Sequence, residues 1–434
     1  MIKFVIWGLG RNGKILYEML GKSLIVAYMD SNEKYKGKEY HGIPVITLNE
    51  YIRNYGKYPI IISVAAYEDE ISKILENQGI SKFFLYSEEM NSIIKICQQM
   101  DLELVVKKYG TNKDIYVYGP TLLALILYDY LISNNYNCWL VNEDFRDVNY
   151  YRANFGVNIL LYSDLETREG VLILAQKSKK DSEILERFKG RIYSFHDLAK
   201  DKKLYMHPEL KVFKDLHQNE RCFIVGTGPS LQLEDLEKLK QHNEICIGVN
   251  GIFKGFQQTK WRPDYYIISD ASGMLQWKDA ILKMDIKDKF VSDVAWFFRD
   301  DEIPANIHKW HMQIEWGNER LPQFTEDFSE VSYCGDTITY DGALQLAIYM
   351  GFSEIYLIGV DCHQYENGEK QHFVDNYQAD GFQDAKIHSD KQRLAYESAR
   401  VYAEKNQLHI YNATRGGYLE VFERVNFDKL FVKN

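Results

Sequence analysis

The sequence predicts an α/β protein: two tandem small Rossmann-like modules followed by a larger Rossmann-like domain. Three patterns carry that reading. Apolar runs rich in β-forming residues end in glycine turns that open helix-periodic segments, first at Gly8-Leu9-Gly10 and again at Gly226-Thr227-Gly228. Residues 113 to 197 repeat the strand and helix plan of the first module at an offset of about 110 residues, the mark of an internal duplication. From Arg221 onward strands and helices alternate, as in a parallel sheet. A chain of 434 residues has room for two to four domains. The boundaries fall at 1–110, 111–200, a linker with a docking helix at 201–219, and 220–434.

In the first module Ile2 to Ile6 is an apolar strand, and Gly8, Gly10 and Gly13 follow as a G-x-G-x-x-G opening a helix through Ile15, Leu16 and Leu20. The next strand, Leu24 to Met29, ends at Asp30. This is the dinucleotide fingerprint: glycines let the chain turn and phosphates approach, and an acid about 20 residues on meets a ribose hydroxyl. Gly8, Gly10, Gly13 and Asp30 are therefore candidate nucleotide ligands. Strands at Pro59 to Val64 and Lys82 to Tyr86 complete the module, with a helix through Ile71 to Leu75 between them. The stretch Lys36 to Tyr51 resembles the small N-terminal Rossmann domain of some nucleotide-sugar-modifying proteins. No catalytic acid or base accompanies the fingerprint, which favours a vestigial or regulatory role over dinucleotide chemistry.

The second module has strands at Ile115 to Tyr118, Cys138 to Val141, Val157 to Tyr162, Val171 to Ala175 and Arg191 to Phe195, with a helix through Leu122 to Leu131. Its turn, Gly119-Pro120-Thr121-Leu122, has lost the phosphate-cradling glycines, so the module reads as a packing or dimerisation element in a possible homo-oligomer. Asp201 to Gln218 is charged, carries Pro208, and sets Leu210, Phe213, Leu216 and His217 on one helical face. That is a linker followed by a short docking helix.

In the third domain Cys222 to Val225 is a buried strand ending at Gly226-Thr227-Gly228-Pro229-Ser230, with Leu233, Leu236 and Leu239 at helical spacing beyond it. Such a turn before a helix can aim backbone N–H groups at a phosphate. Further strands end at Asn250, Asp270 and Gly359-Val360-Asp361, Phe290 to Trp296 reads as another, and Leu344 to Met350 is helical up to Gly351. A polar loop, Tyr365 to Ala385, precedes a long helix from about Asp390 to Lys405, then a strand from His409 to Tyr411 and Asn412 to Gly417. Ligands of open parallel sheets sit beyond the carboxyl ends of the strands, so these strand ends are expected to converge.

Composition excludes several classes. A net charge of −10 argues against broad nucleic-acid binding, and the run Lys177 to Lys180 reads as a solvated loop. The six cysteines form no C-x-x-C pair, so neither a disulfide framework nor a zinc site is implied, and a cytoplasmic protein is expected. The chain starts directly in a strand without a signal-peptide pattern, and its longest apolar segment, Leu122 to Leu127, cannot span a bilayer.

Among reactive side chains His388 stands out. Ser389 and Gln392 have capping-box spacing, so a helix starts at Ser389 with His388 just outside it, where the helix dipole disfavours imidazolium and suits a general base. A solvent-facing loop histidine is the competing reading. His363, His372 and Asp361 match no known metal spacing; Asp361 reads better as a loop anchor or ribose-binding acid, and Asp270 as a turn residue or a magnesium ligand. There is no G-x-S-x-G elbow or Walker lysine.

Arg221 to Leu231 (RCFIVGTGPSL), the strand end at Asn250, the block Asp341 to Asp361 and the step Ile387-His388-Ser389 together resemble a superfamily. It comprises the 6-hydroxymethylpterin diphosphokinase MptE-like proteins, the motility-accessory-factor flagellin glycosyltransferases and the bacterial CMP-sialic-acid-dependent sialyltransferases. The likeness covers roughly residues 205 to 434. It implies a nucleotide-sugar donor such as a CMP-nonulosonate and a glycan or protein acceptor, with no cofactor or metal required. It also implies that Gly226, Gly228, Pro229, Ser230 and Asn250 hold the nucleotide and that His388 deprotonates the acceptor; Thr227, Asp270, Thr339, Asp341, Gly342 and Asp361 are further donor-binding candidates. Thr227 stands where the sialyltransferases place asparagine, and Thr337 to Asp341 replaces their arginine-threonine-serine run. The diphosphokinase alternative would use ATP and Mg²⁺ held by Asp270 and Asp361. A non-catalytic nucleotide-sugar-binding module is the third reading.

Overall fold

The computed structural model describes residues 1–87, 105, 107, 113–119, 121–175, 186–195, 204–296, 303–314, 321–363, 369–379 and 388–432. The expectations placed on Cys97, Pro120, Lys177 to Lys180, Ile387 and residues 365–368 and 380–385 of the polar loop lie outside them. The chain divides into two compact units, Met1–Leu204 and Tyr205–Asn434.

The first unit holds two sheets. One contains β1 (Phe4–Trp7), β2 (Ile25–Met29), β3 (Glu39–Tyr40), β4 (Ile43–Ile46), β5 (Ile60–Ile62) and β6 (Phe83–Leu85) in the order β3-β4-β2-β1-β5-β6. All its pairs are parallel except the β3–β4 hairpin. The other contains β7 (Ile115–Tyr118), β8 (Cys138–Asn142), β9 (Ile159–Leu161), β10 (Val171–Leu174) and β11 (Arg191–Ser194) in the order β11-β10-β7-β8-β9, all parallel. Parallel strands are covered on both faces and so read as unbroken apolar runs, as Ile60, Ile61 and Ile62 do, each fully buried.

The second unit is built on eight parallel strands in the order β16-β15-β14-β13-β12-β19-β20-β21. They are β12 (Arg221–Val225), β13 (Ile245–Val249), β14 (Tyr265–Ile268), β15 (Asp288–Ser292), β16 (Ile307–Trp310), β19 (Glu354–Ile358), β20 (His409–Asn412) and β21 (Glu423–Arg424). A separate pair, β17 (Met312–Gln313) and β18 (Ser332–Tyr333), lies between β16 and β19 in sequence. In all three sheets the chain first builds outward from the opening strand and then returns to that strand's other side. In the large sheet this switch point lies between β12 and β19, the place where open parallel sheets take their ligands beyond the carboxyl ends of the strands.

Three local expectations are corrected. The docking helix is a 3-10 turn, Pro208–Phe213; Leu210 and Phe213 are buried, but Leu216 faces solvent because Asp215 turns the chain at φ +56°. The strand expected at Phe290 to Trp296 starts earlier, at Asp288, since Lys289 hides its amine inside the fold on the carbonyls of Ile281 and Met284, both at 3.0 Å. The helix expected at Leu344 begins at Thr339 as a π-helical turn, Thr339–Leu344, and continues as Gln345–Tyr349. No helix among the described residues is long and apolar enough to cross a membrane.

Candidate functional site

The turn after β12 is fitted into the loop after β19. Gly226 N–H donates to Ile358 O at 2.8 Å and Gly228 N–H to Gly359 O at 2.9 Å. Ser230 gives its hydroxyl to Asp361 Oδ2 at 2.8 Å, and its N–H reaches the same oxygen at 3.4 Å. The approach is so close that a Cβ on Gly226 would lie 2.4 Å from Gly359 O, and one on Gly228 would lie 1.9 Å from Asp361 Oδ2. Burial pushes the Asp361 carboxyl up, against the pull of the Ser230 donors. From the other side Thr414 Oγ1 accepts the Val360 N–H and Tyr418 N–H donates to Asp361 O.

The helix beyond the turn starts only at Leu233, after Pro229, Ser230, Leu231 and Gln232, and its first turn holds Glu234 and Asp235. Asp235 is clasped by the Arg415 guanidinium at 2.8–3.0 Å. Arg415 also binds Asp428, whose carboxyl this guanidinium and Lys238 hold well below the usual carboxylate range. Carboxylates thus occupy the positive end of this helix, and an anion at the turn would rely on the turn's own amides, among which Thr227 N–H has no partner in the described residues.

Asn250, directly after β13, lies in the left-handed region, φ +47°. Its Oδ1 is buried and has no hydrogen-bond partner among the described residues. A strap from the polar loop lies over this neighbourhood: Phe373 N–H donates to Thr227 O at 3.1 Å, and the Tyr377 hydroxyl accepts the Gly251 N–H at 2.9 Å and donates to Thr227 Oγ1 at 3.2 Å. His372 stacks on Tyr377 with ring centroids 3.6 Å apart. Tyr377 had no motif to announce it.

His388 is exposed at the start of the helix Ser389–Lys405. The capping box does not form: His388 takes the cap position without a side-chain bond, and Gln392 donates instead to Asp336 O at 3.1 Å. Asp336, turned at φ +66°, has its carboxyl pushed up by burial and pulled back by the nearby His388.

Thr339, Asp341 and Gly342 are buried in the π-helical turn. Asp341 accepts N–H groups from Gly335 at 2.6 Å and Thr337 at 3.4 Å, and burial raises its carboxyl to about 7. Gly342 lets the turn lie on β14, where a Cβ would come within 2.6 Å of Ile267. The turn that holds these three residues packs against β12, β13 and β14. Asp270 caps the helix Ala271–Lys283 by accepting the Gly273 N–H at 2.6 Å. His363 stacks on Tyr418, apart from the His372–Tyr377 pair, and among the described residues no three metal-binding side chains converge. A buried pair invisible to sequence reasoning, Asp293 Oδ2 with His311 Nδ1 at 2.5 Å, sits where β15 and β16 end.

In the first unit Gly8 has φ +112° and Gly13 packs on Gly8 O, where a Cβ would come to 2.0 Å. Asp30 Oδ2 accepts the Leu9 N–H and Oδ1 the Asn32 N–H, both at 2.8 Å.

Residues 195–367 match the model of the family described as 6-hydroxymethylpterin diphosphokinase MptE-like. The C-terminal part carries an MptE-like domain. The match ends before the helix that bears His388, whereas the glycine turn, Asn250 and Asp361 all lie within it. Residues 1–83 match the family described as C2185-like, N-terminal. Among solved structures, the MAf glycosyltransferase from Magnetospirillum magneticum AMB-1 is 13% identical with a TM-score of 0.35; the match covers 79% of this chain and 63% of that one. A dipicolinate synthase component from Bacillus halodurans is 8% identical with a TM-score of 0.20, over 44% and 80% of the two chains. No curated protein matches the chain.

Proposed function

We propose that the unit carrying the MptE-like domain is a glycosyltransferase that moves a sugar from a nucleotide-activated donor, a CMP-linked nonulosonic acid, to a hydroxyl of a glycan or protein acceptor in surface-glycan or flagellin modification. The observation that carries the reading is Asn250: a buried amide oxygen without a partner among the described residues, at a strand end next to the glycine turn. A buried acceptor left unpaired costs about 1–3 kcal/mol, so this oxygen suits a ligand donor such as a base amine or a ribose hydroxyl. Thr227, tied through the Tyr377 hydroxyl to Gly251, offers its N–H to the phosphate. In the reaction the acceptor oxygen bonds to the anomeric carbon as the bond from that carbon to the phosphate oxygen breaks. His388 takes the acceptor proton, Asp336 steadies the imidazolium, and the nucleotide leaves with the electron pair.

A second reading, diphosphate transfer from ATP to a pterin alcohol, is favoured by one observation. Asp361 lies against the turn with Oδ1 unbonded among the described residues, and Mg²⁺ on nucleotide phosphates needs only one or two carboxylates. Asp270, committed to its helix cap, suits that role less well.

Thermal-shift measurements with CMP, CMP-sugars, UDP-sugars and ATP–Mg²⁺ with hydroxymethylpterin separate the readings. Stabilisation by CMP compounds is expected; stabilisation by ATP and pterin alone would replace the first reading by the second. His388→Ala should lower turnover about 10²–10⁴-fold with the nucleotide shift intact, and unimpaired turnover would remove His388 as the base.

A further inference from the structure

The first unit has a cavity that the reading above does not use. It measures about 240 Å³ and opens at the carboxyl ends of β1, β2 and β4, three neighbouring parallel strands. Trp7, Met29 and Ile46 give it an apolar floor, and Asp30, Asn32 and Thr47 give it polar walls. An apolar slot with hydrogen-bonding edges suits a flat heterocycle on a sugar.

The adjoining glycines separate by what demands them. At Gly8 and Gly13 a side chain would strike Val64 and Gly8 O, so packing fixes both. Gly10 is different. Its φ is −74°, open to any residue, and a Cβ there would meet nothing within 4 Å. The fold does not need a glycine at this position; close approach of a ligand does. Gly10 also begins the ten-residue helix Arg11–Leu20, which has no side-chain cap and no acid in its first turn, so the helix amides and dipole face that open space. Asp30 is held at the cavity by the Leu9 and Asn32 N–H groups, one on each oxygen. Each oxygen keeps acceptor capacity for a ribose hydroxyl.

We propose that the first unit binds a nucleoside diphosphate, with the nucleoside in the cavity, a ribose hydroxyl on Asp30 and the diphosphate at Gly10.

The test uses the full chain with ADP, UDP and NAD as probes, read by calorimetry and by hydrogen exchange of the backbone. At least one probe should bind and protect segments 8–14 and 30–48. UDP binding as well as ADP assigns recognition to ribose and diphosphate, while NAD binding more tightly than ADP adds a second nucleoside. Gly10→Asp places a carboxylate where the diphosphate would lie and supplies a good helix cap. It should weaken binding at least tenfold and leave the melting temperature unchanged or raised. Unaltered affinity in Gly10→Asp, protection confined to 226–231, or no protection by any probe would overturn the proposal.

Discussion

At Gly226 to Ser230 both glycines are pressed against the neighbouring loop, and the turn's polar groups are largely taken up by Ile358, Gly359 and Asp361. At Gly8 to Gly13 the outer glycines are equally confined, but the middle one faces empty space. The second sheet supplies the contrast to both: Thr121 accepts the Ala124 N–H at 3.2 Å and closes the amide end of the helix Leu122–Ser133 with its own hydroxyl. Glycine motifs therefore mix two demands, close packing of chain on chain and access for a ligand. Only the position of each missing Cβ tells them apart.

The largest effect that sharpens this contrast comes from beneath the large sheet. Asp341, with a folded pKa of about 7 against 3.8 for the free group, binds its proton more tightly in the folded state. Its contribution is full below about pH 4 and is lost as pH rises to about 7, roughly 4 kcal/mol in all. Urea unfolding between pH 4 and 8 should show this slope in the wild type and lose most of it in Asp341→Asn. Next, Gly226→Ala drives a methyl into Gly359 O and should cost about 3 kcal/mol, measured in the same way; a cost near zero would mean that the turn is not packed as described. Smaller still, Thr121→Ala should cost about 1 kcal/mol through the lost cap. Gly10→Asp should cost nothing in stability.

The fold was legible because buried parallel strands write apolar runs and glycine turns, both local signals. That the turn Gly226 to Ser230 would meet Asp361 could be expected once strand ends were followed. Tyr377 could not: it meets Thr227 and Gly251 across 150 and 126 residues, from a loop without periodicity. Lys289 blurred the start of β15 because a buried amine reads as a surface residue. Gly342 hid the first turn of its helix because glycine is a poor helix former, and its place is set by Ile267 instead. Thr339, Asp341 and Gly342 had no local signal of their own, and all three are buried in the π-helical turn.

The contact between Ser230 and Asp361 joins residues 131 positions apart in the chain. At a synthesis rate of about 5–20 residues per second, β12 emerges from the ribosome on the order of ten seconds before the strand that completes it. Until then it can pair only with β13, and its other edge stays bare. The junction of these two strand ends is thus a late product of folding, and the half-made sheet before it is where a chaperone or an aggregating neighbour would find its opening.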